Sequence, residues 1–196
     1  QLIHDVPHGM STVWLWNGED PQDEMQRRIL AAAIHHKVDR SEVGGRLFVD
    51  TGRENEIILA DMDRGNVRIA VPMVDALIAT IRRNKIDVLV IDPFVSSHGV
   101  PENDNGAIDR VAKTWARIAH ETGCAVHLVH HARKTGGAEV EIEHSRGAVA
   151  LIGAARAART INSMTEDEAE KAGVDGRRSY VRIDDGKANL APASDV

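Results

Sequence analysis

The stretch Ile86-Asp-Val-Leu-Val-Ile-Asp-Pro-Phe94 constrains the fold more than any other. Val88 to Ile91 are continuously apolar, rich in β-branched side chains, and end in one carboxylate, Asp92. A run without alternation predicts a strand buried on both faces, as in a parallel sheet covered by helices. An acid at the carboxyl end of such a strand lies where open α/β sheets bind ligands. Many strands also end this way simply because a turn begins, so the rest of the chain must decide.

A chain of 196 residues, 42% apolar and 28% charged, suits one domain with a sizeable core and a water-facing surface. No apolar run approaches membrane-span length, and no signal peptide is visible. The single cysteine, Cys124, excludes an internal disulfide and suits a reducing compartment, so a cytoplasmic location is expected. With a net charge of −6 the surface as a whole is not a nucleic-acid footprint. Such binding would need a local basic patch or a central channel built by several subunits.

Along the chain, 12–16 reads as a strand by its β-branched and aromatic content. Asp20 as cap and Pro21 as first residue predict a helix to about His36, with Met25, Ile29, Ala32 and Ala33 as its apolar stripe. A short strand follows at 47–51, then a hairpin of 56–61 and 66–70 closed around Asp63-Arg64-Gly65. Pro72 opens a helix to about Asn84, ahead of the Asp92 strand. Residues 95–103 read as loop. From Asp104 to about Thr122 the apolar period is clearly helical, and a strand at 125–129 runs into His130-His131. Small apolar residues predict a helix over 147–158, then a strand over 159–164. A capping box, Thr165-Glu-Asp-Glu168, opens a short helix. A last hairpin is expected around Asp185-Gly186, from 179–183 to near Leu190. Strands alternating with helices give an α/β fold with a largely parallel sheet flanked by helices and antiparallel strands at the C-terminal edge.

Three predicted strands end in polar residues: Glu19-Asp20, Asp92, and His130-His131. Parallel strands place their carboxyl ends on one side, so these groups share a crevice. Singly, Asp20 reads as a helix cap and His130 as a strand end. Together they supply what nucleotide hydrolysis needs: a carboxylate to activate water, a second for Mg²⁺, and a donor for the γ-phosphate.

The ordered set Trp16-Asn-Gly-Glu-Asp-Pro21, Val90-Ile-Asp-Pro93, Glu102-Asn-Asp-Asn105, His130-His-Ala-Arg-Lys134, Ser145-Arg-Gly-Ala148 and Ala155-Arg156 resembles the RepA-type hexameric helicases, RecA-fold ATPases of the AAA-25 grouping. The likeness spans about residues 12–192. It implies that ATP and Mg²⁺ are used, with Glu19 activating water, Asp20 beside it at the nucleotide, and Asp92 as the Walker B acid on the metal. His130, with His131, would sense the γ-phosphate. Arg156 would be the arginine finger given to the neighbouring subunit of a hexameric ring. The loops 95–105 and 132–146 would face a central channel and touch single-stranded DNA, through Arg133, Lys134 and Arg146. The acids between Glu139 and Glu143 oppose that last role, because they repel phosphates.

One departure from the family is large. No G-x-x-x-x-G-K-[ST] occurs in the sequence, and the backbone amides of that loop cradle phosphates. Its family position is ahead of the 12–16 strand, so a truncated chain lacking the first strand, the loop and its helix is the expectation. Such a chain would bind nucleotide poorly and expose apolar sheet surface. Two further functions stay open: a RecA-fold ATPase that regulates or loads other proteins without unwinding, and an assembly module that has lost nucleotide binding.

Overall fold

The computed structural model describes residues 9–131, 140 and 148–188. Its Cα packing forms two compact units, 1–99 with 114–130, and 100–113 with 131–196.

The first unit is built on a four-stranded, all-parallel sheet in the order β2-β1-β5-β6, with β1 at Val13–Asn17, β2 at Leu47–Thr51, β5 at Val88–Asp92 and β6 at Ala125–Leu128. Helices α1 (Gln22–His36), the one-turn α2 (Arg40–Val43) and α3 (Val71–Asn84) connect these strands, and the residues of α4 (Asn105–Thr122) are divided between the two units. The α/β class read from the sequence is observed, and the architecture is RecA-like. The Asp92 strand is interior in the sheet, but it is not buried on both faces as expected. Leu89 and Ile91 are fully buried on one face, while Val88 and Val90 on the other are half-buried, because among the described residues that face is less completely covered. Helix α3 buries Val74, Leu77, Ile78 and Ile81, the face that its 3.6-residue period foretells. Burying one such side chain stabilises by about 1.5–3 kcal/mol. Helix α4 buries Ile108, Val111, Ala112, Trp115 and Ile118.

The structure corrects some expectations in this unit. Pro21 is the N-cap of α1, one residue later than expected. Of the expected α1 stripe only Met25 is buried, while Leu30 and Ile34 are 61% and 71% exposed. The reason is position: the helix contacts β2, an edge strand, so the sheet offers it little to cover. The hairpin is shorter than expected, with β3 at Ala60–Asp63 and β4 at Asn66–Ile69. The ladder stops at Leu59: its carbonyl still accepts from Ala70 (2.8 Å), but its N–H donates to the Ser97 carbonyl instead (2.9 Å). The expected loop at 95–103 begins with a 3-10 turn, Phe94–Ser97.

In the second unit, α5 (Ala148–Ala154) is shorter than the predicted 147–158 helix. Ala157 and Ala158 instead open β7 (Ala157–Ser163), which pairs antiparallel with β8 (Val181–Ala188). Lys187 Nζ donates to the carbonyls of Ile152 (2.7 Å) and Gly153 (3.1 Å). A cation there satisfies the last carbonyls of α5 and favours its end. The predicted hairpin at Asp185-Gly186 does not form, because β8 runs straight through it. Ala158 pairs with Lys187 and Arg159 with Asp185, so Gly186 is the extra residue of a β-bulge. Glycine marks bulges as readily as turns. Leu190 lies outside the described residues. Between the two strands, α6 (Glu166–Ala172) starts with the predicted capping box.

Candidate active site

The register of the parallel sheet fixes which strand ends are neighbours. Asn17 is opposite both Thr51 and Asp92, so Thr51, Asn17 and Asp92 form one row across the carboxyl edge. Two bonds extend the pairing past this row. Gly18 donates to the Asp92 carbonyl (2.7 Å), and Gly52 donates to the Asn17 carbonyl (2.8 Å). On the other side of β5, Val129 donates to the Ile91 carbonyl (2.9 Å), and Phe94 donates to the Val129 carbonyl (2.7 Å). The segments that carry Glu19, Asp92 and His130 therefore leave adjacent strands, and Asp92 is on the central one. The sequence-level convergence of these groups is observed in the backbone.

Glu19 is exposed and Asp92 half-exposed. The turn carrying Glu19 is organised by Asn17, whose Oδ1 accepts from the N–H groups of Glu19 (2.9 Å) and Asp20 (2.7 Å). This is the local bonding that asparagine offers a chain leaving a strand. Asn17 itself is buried. It was missed as a site residue in the sequence, although Asn-Gly directly ahead of Glu-Asp is the signal that could have found it.

Gly18 is required by close approach. A Cβ there would fall 2.4 Å from Ser96 Cβ, 2.8 Å from Ser96 Oγ and 3.0 Å from the Trp16 ring. The Trp16 ring is fixed by its indole N–H, which donates to the Asn55 carbonyl (2.7 Å).

Asp20 pairs with Arg28 at 2.6 Å, and Arg28 also reaches Glu24 at 2.9 Å. Its negative charge near the start of α1 is favourable to the helix dipole as well. His130 is half-buried, and its ring lies 6.0 Å from that of Phe94 at an interplanar angle of 60°. Phe94 is buried and also meets His98, at 4.7 Å. His131 is exposed and begins the second stretch of the second unit. Arg156 is an exposed residue of that unit, between the end of α5 and the start of β7. Arg133, Lys134 and Arg146 lie outside the described residues, as does most of the expected 132–146 loop.

Among the described residues, no three His, Cys, Asp or Glu side chains gather as a metal cage. Mg²⁺ takes one or two carboxylates and completes its shell with substrate phosphates and water. A single half-exposed Asp92 at a strand end fits that requirement. No helix among the described residues is long and apolar enough to cross a membrane.

The arrangement has carboxylates on two adjacent strand exits and a histidine at the third, on a parallel sheet. The AAA_25 family, described as an AAA domain, matches residues 3–137. That span contains the whole four-stranded sheet with Glu19, Asp92 and His130 at its carboxyl edge, and on this match the protein belongs to the AAA domain family of RecA-like ATPases.

Proposed function

We propose that the protein is an ATP-hydrolysing motor of the RepA-like hexameric helicase type, working on single-stranded DNA in replication or repair. The observation that carries this reading is the hydrogen-bonded junction of two strand exits, Gly18 N–H to the Asp92 carbonyl, which sets the Glu19 turn beside Asp92.

In this mechanism Glu19 takes the proton of the attacking water as its oxygen bonds to the γ-phosphorus and the bond to the β-phosphate oxygen breaks. Asp92 would hold Mg²⁺, which supplies positive charge against the phosphates. His130, with His131 next to it, donates to γ-phosphate oxygens. Arg156 reaches the nucleotide of the neighbouring copy, across the head-to-tail interface that makes a closed ring. Arg133, Lys134 and Arg146 meet DNA phosphates, and that contact weakens as salt rises.

The test is ATPase turnover of the intact gene product with Mg²⁺, with and without single-stranded DNA. The expected result is hydrolysis that the DNA stimulates. The absence of hydrolysis under both conditions would sink the motor reading. Hydrolysis that DNA leaves unchanged would favour the regulatory or loader ATPase, a reading to which the acids of 139–143 already lend weight.

A further inference from the structure

Glu19 is exposed, yet its peptide is held at both ends by side chains from elsewhere. On the amide side, Asn17 Oδ1 accepts from Glu19 N–H (2.9 Å) and Asp20 N–H (2.7 Å). On the carbonyl side, Arg53 Nε donates to Glu19 O at 3.1 Å. Both holders stand on or next to backbone that is tied into the carboxyl edge of the sheet. Asn17 is 5% exposed and pairs with Thr51 on one side and Asp92 on the other. Arg53 follows Gly52, whose N–H donates to the Asn17 carbonyl. Between them, Gly18 bonds to the Asp92 carbonyl and lies too close to Ser96 and Trp16 for any side chain. The turn therefore has no room to slide toward β5.

We infer that Asn17 and Arg53 are positioning residues for Glu19, fixing its backbone so that the carboxylate stands at one place above the Asp92 strand end. This rests on Glu19 being the carboxylate that activates water. The physical need is clear: a general base acts only within hydrogen-bond reach of the proton it takes. Misplacement of a reacting group by about 1 Å can cost on the order of 10²-fold in rate. A turn free to shift would carry Glu19 over that range. Binding the N–H and the carbonyl of Glu19 removes that backbone freedom while leaving the residue exposed.

The test measures kcat and KM for ATP on the intact protein, for Arg53→Ala, Arg53→Lys, Asn17→Ala and Asn17→Ser, each alone and combined with Glu19→Gln. Arg53 is exposed, so its alanine variant is expected to fold even if Asn17→Ala does not. The expected result is a kcat lowered by about tenfold or more with KM for ATP unchanged. Lysine and serine, which still offer a donor or an acceptor, should restore part of the loss. In the Glu19→Gln background, the same substitutions should cost nothing further, because residues acting through one group are not additive. Unchanged kcat in Arg53→Ala, or an equal fall in both backgrounds, would overturn the inference. Should Glu19→Gln itself turn over at the wild-type rate, the assignment of Glu19 falls and the positioning roles fall with it.

Discussion

Asp92 shows how much a single residue can declare. A carboxylate closing an unbroken apolar run was to be expected at the end of a sheet strand, and it stands at the end of β5, an interior strand with one face fully buried. If it holds the cation, Asp92→Asn should weaken nucleotide binding with Mg²⁺ far more than binding in EDTA. Titrations under both conditions check this, and an equal loss would mean a folding defect instead. Glu19→Gln keeps the side chain's shape and removes the base. Turnover should then fall on the order of 10²–10⁴-fold while ATP still binds, which steady-state kinetics and equilibrium binding measure separately. The positions of both acids at strand exits were legible, because strand ends and acid residues can be read one at a time. Asn17 was not, because its role appears only when its side chain folds back on the next two amides. Arg53 could not be read from sequence, because it meets Glu19 across 34 residues of chain.

At the level of elements, periodicity was the reliable guide. Helices α3 and α4 follow their predicted spans almost to the residue, since each carries a full apolar face. The errors fall where one composition serves two structures. Small residues between Gly147 and Ala158 suit a helix, yet the last two are claimed by hydrogen bonds to β8. Asp185-Gly186 suits a turn, but glycine also suits a bulge. Helix α6 was legible through its cap: Thr165 Oγ1 accepts from Glu168 N–H, and the Glu168 carboxylate accepts from Thr165 N–H. Thr165→Ala should cost about 1 kcal/mol, read from denaturant unfolding. The Thr165 amide, and after it the Arg182 guanidinium, draw the Glu168 pKa from 4.5 down to about 2. A carboxyl lowered in the folded state stabilises above its unfolded value and loses that contribution as it protonates. Stability should thus decline from about pH 4.5 toward pH 2, and Glu168→Gln should flatten that part of the pH profile. A variant that declines as steeply as wild type would remove Glu168 from the account.

For the molecule as a whole, the proposed catalytic groups are distributed between its two compact units. Glu19, Asp92 and His130 belong to the first and Arg156 to the second. If Arg156 acts on the next copy, Arg156→Ala should leave fold and nucleotide binding intact while hydrolysis falls by on the order of 10³-fold or more. Mixing it with Glu19→Gln subunits should then restore activity, because a mixed ring contains interfaces with both groups present. Mixtures that co-assemble but stay inactive at every ratio would exclude the role in trans. The ring is proposed from the family resemblance alone, since nothing in one chain's periodicity records its neighbours.

Trp16 gives the protein an optical gauge of its own chemistry. Its ring is 1% exposed and lies about one atomic contact from both Gly18 and Gly52, under the turn that carries Glu19. The other tryptophans, Trp14 and Trp115, are also buried, so ultraviolet emission should be blue-shifted and sensitive to small changes in ring surroundings. With Trp14 and Trp115 replaced by phenylalanine, the remaining emission reports on that turn alone. A shift on adding nucleotide would report the arrival of the ligand beside that turn directly, with no label attached.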